Sequence, residues 1–288
     1  MASPAGSAAG SLLGSPSAAR GPAAELRRTV QGMLNKVCPE NVGTIAQKIG
    51  AVEIAQPAQL ETVIELIFKK AVTEPHYCET YADLVFALKS VFPEFPAPEG
   101  GKPITFKSSV LNICQNEFEE LVERLEPSEK ERARLQGGDL EACRKRRKDR
   151  LLANMKFIGH LYLRELLSVK VIGAVLCELV LSAETPKGPE EHALECSCEL
   201  LNAIGFTLET LPVGQQVVSQ VCGRLLELKS AKAADGKALY CKRVQFLIQD
   251  LLDTRAAGWS RKQFRSAAKT KEEIRLEQER DLNARQCG

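Results

Sequence analysis

The feature that most limits what this chain can fold into is a doublet of apolar helical stripes that recurs five times. Leu26, Val30, Met33 and Val37 are spaced for one face of a helix, Pro39 interrupts them, and Val42, Ile45, Ile49 and Val52 resume the pattern. Pro57 opens a second doublet, in which Leu60, Val63, Ile64, Ile67, Phe68 and Ala71 are followed, past Pro75, by Tyr81, Leu84, Val85, Leu88 and Val91. The loop Pro93 to Pro103 closes it. A third stripe runs from Ile104 through Val110, Ile113, Cys114, Phe118, Leu121 and Val122, and a charged stretch up to Gly137 and Gly138 leads into the strongly basic helix of Arg144 to Leu166. Ser168 caps the next stripe, Val171 to Leu179, whose partner spans Ala193 to Ile204. The segments Leu208 to Leu228 and Ala238 to Leu252 form the last doublet.

The doublets begin near residues 24, 57, 104, 168 and 207, scattered around the roughly 40 to 47 residues of HEAT-type helical pairs. One pair is too small to bury its own apolar face, so neighbours must stack. The expected fold is therefore an all-α solenoid of about five HEAT-type antiparallel helical hairpins forming one domain, with no strand segment of comparable strength. Its expected limits are residues 24–259. Residues 1–23, almost wholly Ala, Gly, Ser and Pro, should be a disordered leader, and residues 260–288 a charged, partly helical tail.

Composition narrows the function. A net charge of +2 gives no whole-chain case for nucleic acid, so any such case rests on the local run Arg144, Lys145, Arg146, Arg147, Lys148 and Arg150. Concentrated over two helical turns, these residues would gain from releasing counterions around phosphates. No aromatic ladder interleaves them, so sequence-specific readout of RNA is unsupported. No apolar run approaches the roughly 20 residues that cross a bilayer, and a soluble, cytoplasmic, monomeric protein is expected. The ten cysteines form no CxxC pair, and His76, His160 and His192 have no ligand-like spacing. They read as reduced packing residues, with no metal and no cofactor. With no Gly-rich phosphate loop, no GxSxG elbow and no paired carboxylates in a suggestive context, an enzyme is not expected.

Two phenylalanines break the pattern. In the basic helix, Leu152, Met155, Gly159, Tyr162, Leu163 and Leu166 make one stripe, and Phe157 lies about 200° from Met155 at about 100° per residue. Either a second helical layer covers it or it is exposed for a partner. Phe246 repeats the geometry, about 170° from the centre of the stripe Val244, Leu247, Ile248, Leu251 and Leu252. Equivalent helices of a solenoid line the same surface, so the recurrence favours one docking face carrying both rings.

Six ordered segments resemble a known family. LRRTVQGMLNKVCPEN at 26–41, LIFKKAVTEP at 66–75, LNICQNEFE at 111–119, MKFIGHLY at 155–162, LECSCELLNAIG at 194–205 and RVQFLIQDLLDTR at 243–255 are similar to the middle domain of eukaryotic translation initiation factor 4-gamma. The resemblance spans about residues 24–279. It implies a crescent-shaped scaffold without catalysis, which holds the DEAD-box RNA helicase of the cap-binding initiation complex and touches RNA and ribosome-bound initiation factors. By the same resemblance, helicase contacts fall on Leu34, Val37 and Val42 at the first hairpin and on Phe157 and Phe246 further on. Val42 is smaller than the apolar residue usual in the family, which implies weaker binding at that end. The competing expectation is a related middle-domain adaptor in mRNA decay, splicing or poly(A)-linked translation.

Overall fold

The computed structural model describes residues 21–96, 102–135, 137–181, 188–233 and 235–259; most of the expected leader and the whole of the expected tail lie outside these. Among the described residues there are eleven α-helices: α1 (Pro22–Leu34), α2 (Val42–Gly50), α3 (Pro57–Thr73), α4 (Cys78–Leu88), α5 (Phe106–Glu123), α6 (Glu129–Arg134), α7 (Gly138–Leu163), α8 (Val169–Val180), α9 (Glu191–Glu209), α10 (Pro212–Ser230) and α11 (Lys242–Ala256). No strand forms among them; two isolated bridges, Phe95 with Ile104 and Lys232 with Ala238, tie loop ends together.

Local chemistry sets these boundaries. Proline opens α1, α3 and α10, where its missing N–H costs nothing. Side-chain caps hold other starts: the Thr105 hydroxyl accepts from the Ser108 amide at 3.1 Å, and the Ser168 hydroxyl accepts from the Val171 amide at 3.4 Å. The first helix begins at Pro22, two residues ahead of the boundary the apolar pattern suggested.

The helices stack in two layers. In the first, α1 packs on α3, α3 on α5, and α8 on α10; in the second, α2, α4, α7, α9 and α11 follow one another without a break. Pairing α1 with α2, α3 with α4, α5 with α7, α8 with α9 and α10 with α11 recovers the five hairpins, and the short α6 sits inside the third. Ion pairs lock the second layer from helix to helix. Arg164, just past the end of α7, donates to Asp83 of α4 at 2.7 Å, and Arg255 of α11 reaches Glu209 of α9 at 2.8 Å. Glu195 of α9, only 4% exposed, receives both Lys148 of α7 at 2.7 Å and Arg243 of α11. A buried carboxylate alone would be costly, and two cations relieve that cost.

Helix α7 corrects the picture of a one-sided stripe. It touches α3, α4, α5 and α9, so Leu151, Met155, Phe157, Ile158, Leu161 and Tyr162 are all buried. Phe157 is fully buried, edge-to-face with Phe68 of α3 at a centroid distance of 4.7 Å. The expected exposed ring is thus core: the second helical layer that could cover it is there. Conversely, Leu163, placed on the core stripe, is 39% exposed.

Candidate partner-docking surface

The first hairpin offers a limited apolar edge. Leu34, one of the residues on which the resemblance places a helicase contact, is 1% exposed and packs inward rather than standing out on the surface. The physical reason is that α1 turns its stripe toward α3 and leaves Glu25, Arg27, Arg28 and Gln31 outward. Leu34 instead forms part of a cleft of about 260 Å³ between α1 and α3, lined also by Gln31, Leu66, Lys69, Lys70 and Thr73. Val37 and Val42 flank the α1–α2 connection and are half-buried. Asn41 braces that connection, its amide group donating to the Lys36 carbonyl at 2.7 Å and accepting from the Cys38 amide at 2.9 Å.

The second layer presents rings to solvent. Phe246 of α11 is 65% exposed, as the helical spacing indicated. Two further phenylalanines were missed in the sequence: Phe206 of α9, 65% exposed, and Phe86 of α4, 50% exposed. The same signal identifies them, since at about 100° per residue Phe206 lies opposite Leu201, Ile204 and Leu208, and Phe86 opposite Leu84, Val85 and Leu88. Three helices of one layer therefore each direct a phenylalanine away from the core. Phe206 borders a cleft of about 440 Å³ with Glu209, Arg255 and Trp259.

The basic run is divided between structure and surface. Arg144 donates to Glu126 at 3.1 Å. Arg147 donates to the carbonyls of Arg124 and Glu126 at 2.8 and 3.0 Å and to Glu131 at 2.5 Å. Lys148 is held by Glu195. Their charge is largely answered, and Arg147 stitches α7 to the α5–α6 connection. Lys145, Arg146 and Arg150 are exposed, and none lies in an ion pair among the described residues. The outward charge available to a polyanion is thus concentrated on these three residues.

Five of the nine described cysteines are packing groups. Cys78, Cys114, Cys196, Cys198 and Cys222 are buried, and no disulfide joins any of the nine described. Burial pushes the Cys114 thiol well above its ordinary range and lowers His160, the reverse of what a thiolate–imidazole pair needs. No cluster of three metal-ligating side chains occurs among the described residues, and no helix among them is long and apolar enough to cross a membrane.

Stacked hairpins with an unbroken inner ladder and surface rings define a helical-repeat domain of the scaffolding kind. The chain belongs to the MIF4G-domain family, whose model matches residues 27–257. It is 30% identical over 268 residues to the eukaryotic translation initiation factor 4G of Arabidopsis thaliana, covering 90% of this chain and 15% of that protein. It is 29% identical over 273 residues to eukaryotic translation initiation factor 4 gamma 1 of Mus musculus, covering 88% of this chain and 16% of the other. The chain thus spans about 15% of the length of the curated relatives it matches. The crystal structure of the MIF4G domain of the Trypanosoma cruzi translation initiation factor EIF4G5 shares the fold, with a TM-score of 0.50 and 24% identity, covering 82% of this chain and 97% of that one. The family is one of scaffold adaptors rather than enzymes.

Proposed function

We propose that this chain is a cytoplasmic translation-initiation scaffold that binds and positions a DEAD-box RNA helicase, with a secondary contact to RNA. The observation that carries the reading is Phe246: a ring 65% exposed on the last described helix of an MIF4G domain. An exposed ring at that level contributes nothing to the core, whereas burying it against a partner contributes about 1.5 to 3 kcal/mol before ordering costs. Val37 and Val42 supply a second, weaker apolar edge at the opposite end of the stack, with Leu34 in the adjoining cleft wall. A two-lobed helicase would be gripped at these two ends. Phe157 has no direct part in such a contact because it is enclosed. RNA is met through Lys145, Arg146 and Arg150 without base-specific readout.

Titrating the purified full chain with a purified initiation DEAD-box helicase, and separately with decay and splicing helicases, tests the reading. Saturable one-to-one binding to the initiation helicase at micromolar concentration or tighter is expected. Preference for a decay or splicing helicase would overturn it in favour of the related middle-domain adaptors.

A further inference from the structure

The first layer of helices opens at one place. There α1 packs on α3, α3 on α5 and α8 on α10, but α5 and α8 make no contact of comparable extent. At the same level the second layer is drawn tight: a Cβ on Gly159 of α7 would meet Ile204 and Ala203 of α9 at 3.2 and 3.3 Å. Hairpins pinched together on one side splay on the other. One end of the resulting gap is closed, where Lys107 at the start of α5 donates to the Glu165 carbonyl, ahead of α8, at 3.4 Å.

The gap holds a cleft of about 310 Å³. Leu111 and Phe118 of α5 and Val171 and Val175 of α8 wall it, each half-buried, over the buried Ile158 of α7. Its polar lining is acidic and lies away from the closed end. Glu119, exposed, is 12 residues beyond Lys107, about 18 Å along α5. Glu178, also exposed, is two residues before the end of α8. Glu119 accepts from Gln115 at 2.9 Å and joins no ion pair among the described residues. No Lys or Arg is among the described residues that line the cleft.

A cleft of this size, at the lower end of the range of about 300 to 1,000 Å³ for ligand pockets, takes an apolar anchor from a segment laid across the two helices. The carboxylates decide what stands beside the anchor. A nucleic acid or an anionic lipid is repelled there, and a neutral side chain leaves both charges unanswered, whereas a cation complements them. We propose that the α5–α8 cleft is a second docking site, which takes from another protein a segment with a large apolar side chain next to a Lys or Arg. The apolar group enters between Phe118 and Val175, and the cation meets Glu119 and Glu178. Phe246 belongs to the other layer, so this site is distinct from the helicase contact proposed above and does not rest on it.

A random peptide library displayed on phage and panned against the full chain supplies the probe. The selected peptides should share a Leu, Phe or Met within one helical turn of a Lys or Arg, and the consensus peptide, labelled with a fluorophore, is then titrated by anisotropy. Ala174 is exposed at the cleft, and Ala174→Phe, which fills it, should weaken the peptide by about tenfold or more. Glu119→Lys, at an exposed position, should weaken it about fivefold and flatten its salt dependence. Phe246→Ala should leave it unchanged. Melting temperatures verify that the variants fold, and Glu119→Lys keeps the test intact if the bulkier side chain disturbs the helix. Failure to enrich any peptide, a consensus without a cation, or binding that neither cleft variant weakens would overturn the proposal. So would a dimer of the chain in sedimentation that Ala174→Phe abolishes, since the occupant would then be a second copy. No readout involves a helicase, so failure here and failure of the helicase reading are told apart.

Discussion

Helices α7 and α11 carry the same sequence signature, an apolar stripe with a phenylalanine on the opposite side, and meet opposite fates. In α7 four neighbouring helices close around the barrel and Phe157 is sealed against Phe68. In α11 two helices cover one side and Phe246 remains 65% exposed. The difference lies in position along the stack, not in the helix itself. A middle helix with an inserted α6 and a 26-residue length is wrapped from several directions, while the last described helix has no later hairpin among the described residues to cover it.

The sharpest way to break this comparison is to delete each ring. Phe157→Ala should cost about 3 to 5 kcal/mol in chemical denaturation, through lost burial and a residual cavity beside Phe68. Phe246→Ala should stay within about 0.5 kcal/mol. Similar losses for both would mean that exposure on α11 has been misjudged.

The ion-pair ladder predicts the next effect. Glu195→Ala should cost about 1 to 2 kcal/mol, because it leaves Lys148 and Arg243 without their shared carboxylate while both cations retain some access to water. Arg147→Ala should cost about 1 kcal/mol by freeing two carbonyls and Glu131. By contrast, Lys145→Ala with Arg146→Ala should leave stability unchanged and reduce the slope of log affinity for RNA against log salt by about 1 to 2. Filter binding across a salt series separates the two classes; a larger slope change from Arg147→Ala than from the exposed pair would reverse the division drawn within the basic run.

The smallest effect is in pH. Burial lowers His160 and His192, with Glu79 and Asp83 opposing and Arg164 and Lys156 reinforcing the shift at His160. Their folded-state values lie below the unfolded one of about 6.5, so the unfolded chain takes up more protons in acid. Stability should fall as pH drops below about 6.5 and level off once the folded-state groups also protonate. His160→Gln should flatten that part of a melting-temperature profile; a steeper decline would contradict the assignment.

How far the residues alone reached follows from the same contrast. Hairpin order was readable because 3.6-residue spacing, proline breaks and Ser168-type caps are local signals. The interior of α7 was not, since the residue that seals Phe157 belongs to α3. Half of the basic run was misleading for the same reason: Arg147 and Lys148 find their carboxylates 16 and 47 residues away, beyond any periodicity. Phe86 and Phe206 were readable and were passed over, though their off-stripe positions match that of Phe246.

The central claim is that the exposed end of the second layer serves a partner rather than the fold. Calorimetric titration of the full chain carrying Phe246→Ala against an initiation DEAD-box helicase, with its melting temperature measured alongside, tests it directly. The account predicts affinity weaker by about tenfold to a hundredfold, from about 1.5 to 3 kcal/mol of lost burial, with melting unchanged to within about two degrees. Wild-type affinity in a folded Phe246→Ala protein would contradict it.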